Sequence, residues 1–464
     1  MKKLLLFFVI AFSCIAVRAT NPPDEGMWLP MFIEKLNYKD MQRMGLKLTP
    51  EQVYSVNNSS LKDAVVGLGS NQMPTGFFCT AEIVSPEGLL FTNHHCVYDM
   101  VQKHSTVEND YLTKGFWSQR KEDEIPNEGA TASILYRMED VTERVFADVK
   151  PEMNDQQRSS KIREAISKIE KEAAEGGKYT VNVKSFFSGN EYYLMVYEVY
   201  EDVRLVGAPP SSIGKFGGDT DNWMWPRHTG DFGILRIYTG PDGKPAKYSK
   251  DNVPLKPRHF LPVSIKGLEN NDYTMIWGFP GTTDRYLTSW GVKQDIDINN
   301  PATVKIRDKK LAIMKEDMDK SDAIRIKYAS KYAQTANYWK YFIGQTRGLK
   351  RLNVYEKKQK LEKDFTDWVN ASDERKNKYG QALKLIEEGY TEMEKYTKSI
   401  TYLNEAAFQG PELIFFCIGA MQLHKYLESH PKAKNDETAL ALAQEFKKSL
   451  NDHFKDYNLE TVLR

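Results

Sequence analysis

GFFCTAEIVSPEGLLFTNHHC, residues 76–96, decides how the rest of the 464-residue chain is read. Phe77, Cys79, Ala81 and Ile83 alternate with more polar positions, the period-two pattern of a half-buried strand. Ser85, Pro86, Glu87 and Gly88 form a turn: Pro fixes φ, and Gly admits the positive φ that closes the reversal. Leu89, Leu90 and Phe91 begin a second strand. It runs on into Thr92, Asn93, His94, His95 and Cys96, so polar groups arrive at the end of an apolar element. A rigid strand end is a good mount for a catalytic base. Cys79 and Cys96 bracket the hairpin.

Further along, FGGDTDNWMWPRHTGDFGILRIY (216–238) packs glycines, aspartates, two tryptophans and a histidine into one loop, then enters a strand. Asp231 stands at the mouth of that strand. Asp219 and Asp221 sit in the Gly-rich turn and read as loop-capping groups.

Net charge is +1, so composition implies no polyanionic partner and no nucleic acid. The length suggests two or three domains. Residues 1–19 read as an export signal: Lys2 and Lys3 precede an apolar run, and Val17 and Ala19 are small residues at the −3 and −1 positions. The run is short for a membrane span. Cys14 lies in a poor lipidation context. Cys417, in the apolar run LIFFCIGAM, is expected as a buried free thiol.

From 64 to 280 the pattern is mostly strand-like: FFCTAEIV, LLFTN, ASILYRM, YYLMVYEVYEDVRLVG, DFGILRIYT and YTMIWGF. One interruption, 154–174, is helical and reads as a surface excursion. Short helices are expected over 33–44 and after Thr49. After 284 the texture changes, and residues 312–318, 323–342, 349–369, 379–402, 411–427 and 437–453 read as amphipathic helices. Breaks are expected at Gly344-Gln345, at 370–372 and at His430. The Lys/Glu runs read as solvated faces.

The hairpin resembles the histidine-bearing hairpin of chymotrypsin-like serine proteases, where a Cys on one strand pairs with the Cys directly after the catalytic His. That resemblance implies a Cys79–Cys96 disulfide, which an exported chain permits, and it makes His95 the general base. An Asp before an apolar strand matches the orienting acid, Asp231. Both segments together, with DEGMWLP (24–30), WGFPGTTDRYLTSWG (277–291) and ANYWK (336–340), resemble the bacterial dipeptidyl-peptidases of the 7 and 11 type. The resemblance covers nearly the whole mature chain and implies a mixed β and α fold. Residues 20–285 would be the chymotrypsin-like β-barrel part of the peptidase domain, with the second barrel missing. Residues 286–464 would be an incomplete all-α helical domain.

By the same resemblance Asn222, Trp223 and Asn337 would hold the free N-terminal ammonium of a peptide substrate. An ammonium needs acceptor oxygens and is attracted to an aromatic face. No cofactor and no metal are implied, since adjacent residues on a strand end point in different directions. A homodimer is compatible with the family. No Gly-x-Ser-Gly turn follows Asp231. Ser70 precedes His95 and Ser188 lies between His95 and Asp231, so the nucleophile is expected outside this chain. Two other readings compete: a periplasmic trypsin-like endopeptidase, which leaves NWMWPRHTGD and the helical region unexplained, and a non-catalytic secreted binding protein.

Overall fold

The computed structural model describes residues 28–411, 413–430 and 437–456. The expected signal, 1–19, lies outside them. The chain divides into two compact units, Met1–Lys62 with Ser264–Ile276, and Asp63–Val263 with Trp277–Arg464. In the first, the helix expected after Thr49 is Pro50–Val53. Its capping box is complete: Thr49 Oγ1 accepts from the Gln52 N–H, and Gln52 Oε1 accepts from the Thr49 N–H.

The second unit is built on the hairpin. β1 (Val65–Ser70) pairs with β2 (Cys79–Ile83), and β2 pairs with β3 (Leu89–Thr92), all antiparallel. Gly88 closes the β2–β3 turn at φ 65°, and a Cβ there would meet the Ile237 carbonyl oxygen at 3.0 Å. The Ser85 hydroxyl accepts from the N–H groups of Glu87 and Leu89. After β3 the structure departs from the sequence reading. The chain turns at Asn93 into helix α1 (His94–Lys103), so His95 lies in a first helical turn and not on a strand end. Val97, Met100 and Val101 explain the switch. They repeat at helical spacing and are buried, and they begin beyond the stretch that carries strand periodicity.

The remaining long strands are β4 (Ala130–Asp140), β5 (Thr180–Phe186), β6 (Glu191–Tyr200), β7 (Asp202–Ala208) and β8 (Gly233–Thr239). Phe116–Trp117 lies outside β7, followed in order by β8, β3, β2, β1, β4, β6 and β5; two further short strands complete an eleven-stranded antiparallel sheet. Between β4 and β5 stands α2 (Asp155–Ala173), capped by Asn154 and packed through Ile169 and Ala173. This is the expected helical excursion. YTMIWGF is not a strand: 273–279 forms no ladder, although half-buried and exposed positions alternate along it. Period two specifies an extended chain, and a strand also needs a partner edge.

The helical region follows as α3 (Asn300–Met318), α4 (Asp322–Arg351), α5 (Val354–Asn370) and α6 (Ala382–Tyr402). The break expected at Gly344 is absent, and α4 runs straight through it. A helical Gly costs only about 1 kcal/mol, and the Gln345 side chain bonds both Asn300 and Tyr341. Ile326 and Ala329 of α4 join the sheet core of Val66, Leu68, Ile83, Leu90, Leu205 and Leu235. Each Val, Leu or Ile side chain there contributes roughly 1.5–3 kcal/mol by burial. Gln102 of α1 fixes the seam: its Nε2 donates to the Lys327 carbonyl, and its Oε1 accepts from the Ser330 N–H. Cys417 is free but exposed, contrary to expectation. Its helix, Leu413–Ser429, packs on Leu403–Phe408 and Glu437–Asp456, which leaves part of the apolar run uncovered.

Cys79 and Cys96 form a disulfide with Cα atoms 5.9 Å apart, joining β2 to the first turn of α1. Replacing both by Ser should cost about 3 kcal/mol on the chain-entropy model. A urea midpoint that falls by the corresponding amount checks this. Free thiols at both positions under non-reducing mass mapping would contradict the bridge.

Candidate active site

The first N–H groups of a helix have no partner within it. At α1 the N-cap residue, Asn93, makes no side-chain cap bond. Its amide reaches across instead, and Nδ2 donates to the Asp231 carbonyl at 3.1 Å. Asp231 supplies the cap: its Oδ1 accepts from the backbone N–H of His95 at 3.1 Å, and its Oδ2 lies 2.9 Å from His95 Nδ1. Strand register delivers Asp231 there. Gly233 of β8 is opposite Thr92 of β3, so Asp231, two residues before Gly233, arrives beside the start of α1, two residues after Thr92. The close approach requires Gly233, because a Cβ would sit 2.5 Å from a Val97 methyl.

Asp231 is held below the ordinary carboxylate range. Burial is the largest single influence and acts the other way; the hydrogen bonds and charge of His95 together outweigh it. The helix N-terminus favours the same ionised form. An ionised carboxylate only accepts, so Nδ1 of His95 carries the proton and Nε2 is left as an acceptor. His95 Nε2 makes no hydrogen bond among the described residues. The side chain of His95 is 69% exposed and that of Asp231 20%, so the imidazole is open to solvent while the carboxylate is sheltered. His94 behaves differently. It is buried edge-to-face against Tyr98, and burial, as the main cause, lowers its pKa despite the Asp231 charge.

A second group forms where loop 217–230 meets α4. Asn222 Nδ2 donates to Asn337 Oδ1 at 2.8 Å, and the Trp223 indole N–H donates to the Asn337 carbonyl at 3.0 Å. Trp223 also lies 5.1 Å from the Tyr341 ring. Lys340 Nζ donates to the carbonyls of Asp219 and Thr220. Trp223 has φ 60°, strained for a side-chain-bearing residue, and the indole bond and Tyr341 hold it there. Asp219, expected to cap its loop, pairs with Lys215.

One cavity of about 1680 Å³ is lined by His95, Asp231, Asn222, Trp223 and Asn337 together. Sequence reasoning missed Asn93, Arg227, Lys340 and Tyr341. Asn is a favoured N-cap, and Arg227 stood in the quoted loop, so both carried a signal. The ligand atoms of Cys79, His95 and Cys96 lie within 4.8 Å of one another, but both sulfurs are bridged and offer no thiolate to a metal.

The unfolded chain binds the Asp231 proton more readily than the folded one, so this stabilisation is present above about pH 4 and is lost as pH falls through the lower folded value. Asp231→Asn should therefore lower the melting temperature clearly at pH 7 and much less near pH 3. Equal losses at both values would contradict the argument.

Comparison with known proteins gives a consistent result. The Asp/Glu-specific dipeptidyl-peptidase of Flavobacterium psychrophilum is 43% identical over 459 residues, covering 99% of this chain and 61% of that protein. Dipeptidyl-peptidase 7 of Porphyromonas gingivalis is also 43% identical, covering 94% of this chain and 58% of that one. The chain thus spans about three fifths of the length of these curated relatives. The crystal structure of Porphyromonas endodontalis DPP11 in complex with the dipeptide Arg-Glu superposes with a TM-score of 0.80 at 34% identity, over 95% of this chain and 62% of that one. Residues 23–462 match the family described as Peptidase S46, and with relatives this similar along nearly its whole length the chain belongs to the Peptidase S46 family.

Proposed function

We propose that this chain carries the general base, its orienting acid and the amine-recognition residues of an exported serine dipeptidyl-peptidase. The observation that carries the reading is the contact of His95 Nδ1 with Asp231 Oδ2 at 2.9 Å. It leaves Nε2 as the acceptor in a cavity large enough for a peptide. In this mechanism Nε2 takes the proton of a serine hydroxyl as its oxygen attacks the carbonyl two residues from the substrate N-terminus. The imidazolium then gives that proton to the leaving amine. Asp231 keeps the tautomer and stabilises the imidazolium without being protonated itself. Such general base catalysis is worth about 10²–10⁴-fold.

The exopeptidase character rests on Asn222, Asn337 and Trp223. Both amide oxygens can accept from an ammonium, and the exposed indole offers an aromatic face. An ammonium held there counts out a dipeptide from the terminus. The relatives' names support this substrate class, and dipeptides are bound in related structures.

The serine is assigned to a segment outside these residues, in the part of the relatives' length that the chain does not span. Ser70 lines the cavity, but its hydroxyl accepts from the Met73 N–H and makes no bond to His95. Ser188 sits in the turn between β5 and β6 at φ 57°. In this reading residues 20–285 are one barrel of a chymotrypsin-like pair, 286–464 belong to a helical domain, and 1–19 direct export. No helix among the described residues is long and apolar enough to cross a membrane.

The full-length gene product should release the fluorophore from a dipeptidyl amide with a free amine, leave the N-acetylated amide intact, and lose activity in His95→Ala. Equal cleavage of both amides would favour an endopeptidase. Turnover by residues 20–464 alone that His95→Ala abolishes would locate the nucleophile inside the chain, with Ser70 the first to examine.

A further inference from the structure

Arg227 stands in the cavity wall beside Asn222, a place that the mechanism above leaves without a role. Its Nη1 donates to Asn222 Oδ1 at 3.2 Å. Its Nε–H is buried with no partner among the described residues. A guanidinium kept for packing or stability would be expected to have its buried donors satisfied, since an orphaned donor costs free energy. A cation next to a site for an ammonium is also unfavourable by charge alone. Something else must account for it.

The direction of the hydrogen bonds supplies an answer. Arginine only donates. The Asn222 amide must therefore turn its oxygen toward Arg227, which turns its Nδ2 toward Asn337 and obliges the Asn337 amide to present its oxygen. The chain Arg227 to Asn222 to Asn337 thus has one polarity, fixed at its head. Each amide oxygen uses one of its two lone-pair sites in this chain and has a second to offer. Reversed, Asn222 would point N–H groups at an incoming ammonium, which has three donors and no acceptor.

We propose that Arg227 is a positioning residue for the substrate amine: it orients the Asn222 and Asn337 amides so that both present oxygen. The inference rests on the amine-site reading of those two residues. It makes a prediction of definite sign. Removing a like charge should by itself help an ammonium bind, whereas removing the orienting donor should weaken binding.

The test uses the full-length gene product and a fluorogenic dipeptidyl amide with a free amine. Arg227→Met should raise KM about tenfold, the scale of one charge-assisted hydrogen bond, with the larger part of the loss in KM and not in kcat. Arg227→Lys, which keeps a donor-only group, should recover most of it. Arg227→Gln, which can present either end of its amide, should fall between. A fall in KM, or none of these variants moving it while Asn222→Ala raises it, would overturn the role of Arg227 and leave the amine site standing. An unchanged KM in Asn222→Ala would remove the amine site and this role with it. If Arg227→Met does not fold, the Lys and Gln variants decide: equal KM in both overturns the proposal.

Discussion

One carboxylate does two structural jobs. Asp231 accepts the backbone N–H of His95, which a helix start leaves without a partner, and it also accepts the imidazole N–H of the same residue. Here backbone and ring are tied to the two oxygens of one group, so the helix cap fixes in place the carboxylate that the imidazole N–H meets. Everything that brings β8 beside β3 serves this pairing: the register of Gly233 on Thr92, the Val97 contact at Gly233, and the Cys79–Cys96 bridge that anchors the first turn of α1 to β2.

The long helix α4 gives the cavity its second wall. Ile326 and Ala329 lie in the sheet core, and Gln102 bonds two successive parts of the α4 backbone region from α1. Two to three turns further on, Asn337, Lys340 and Tyr341 meet loop 217–230. His95 and Asn337 are therefore carried by helices packed on one core, and α4 holds Asn222 and the strained Trp223 of the loop through Asn337 and Tyr341. Rigid mounting of this sort is what proximity effects require, because misplacement by about 1 Å can cost 10²-fold in rate.

Much of this was legible in the sequence. The hairpin, the turn at Ser85–Gly88, the helix over 155–173 and the change to helices after 284 follow from period and turn chemistry. His95, Asp231, Asn222, Trp223 and Asn337 came from resemblance, and they line one cavity. What was not legible depended on long-range partners. TNHHC reads as a strand end until Val97, Met100 and Val101 are seen to share a buried helical face. YTMIWGF has the right period and no edge to pair with. Gly344 looks like a break, yet neighbours bond the backbone's surroundings well enough to carry α4 through it. Asn93 carries an N-cap signal, but its bond to a group more than a hundred residues away is not part of it; Arg227 stands in the quoted loop, but its bond to Asn222 depends on how that loop folds.

The central claim is that Asp231 holds the His95 imidazole with its proton on Nδ1 and its lone pair on Nε2. Nitrogen-15 NMR of selectively labelled histidine reads this directly, with His95→Gln to assign the signal. At neutral pH the account predicts a protonated Nδ1 in a strong hydrogen bond, an unprotonated Nε2, and loss of that state in Asp231→Asn. A neutral His95 protonated on Nε2, unchanged by Asp231→Asn, would contradict it.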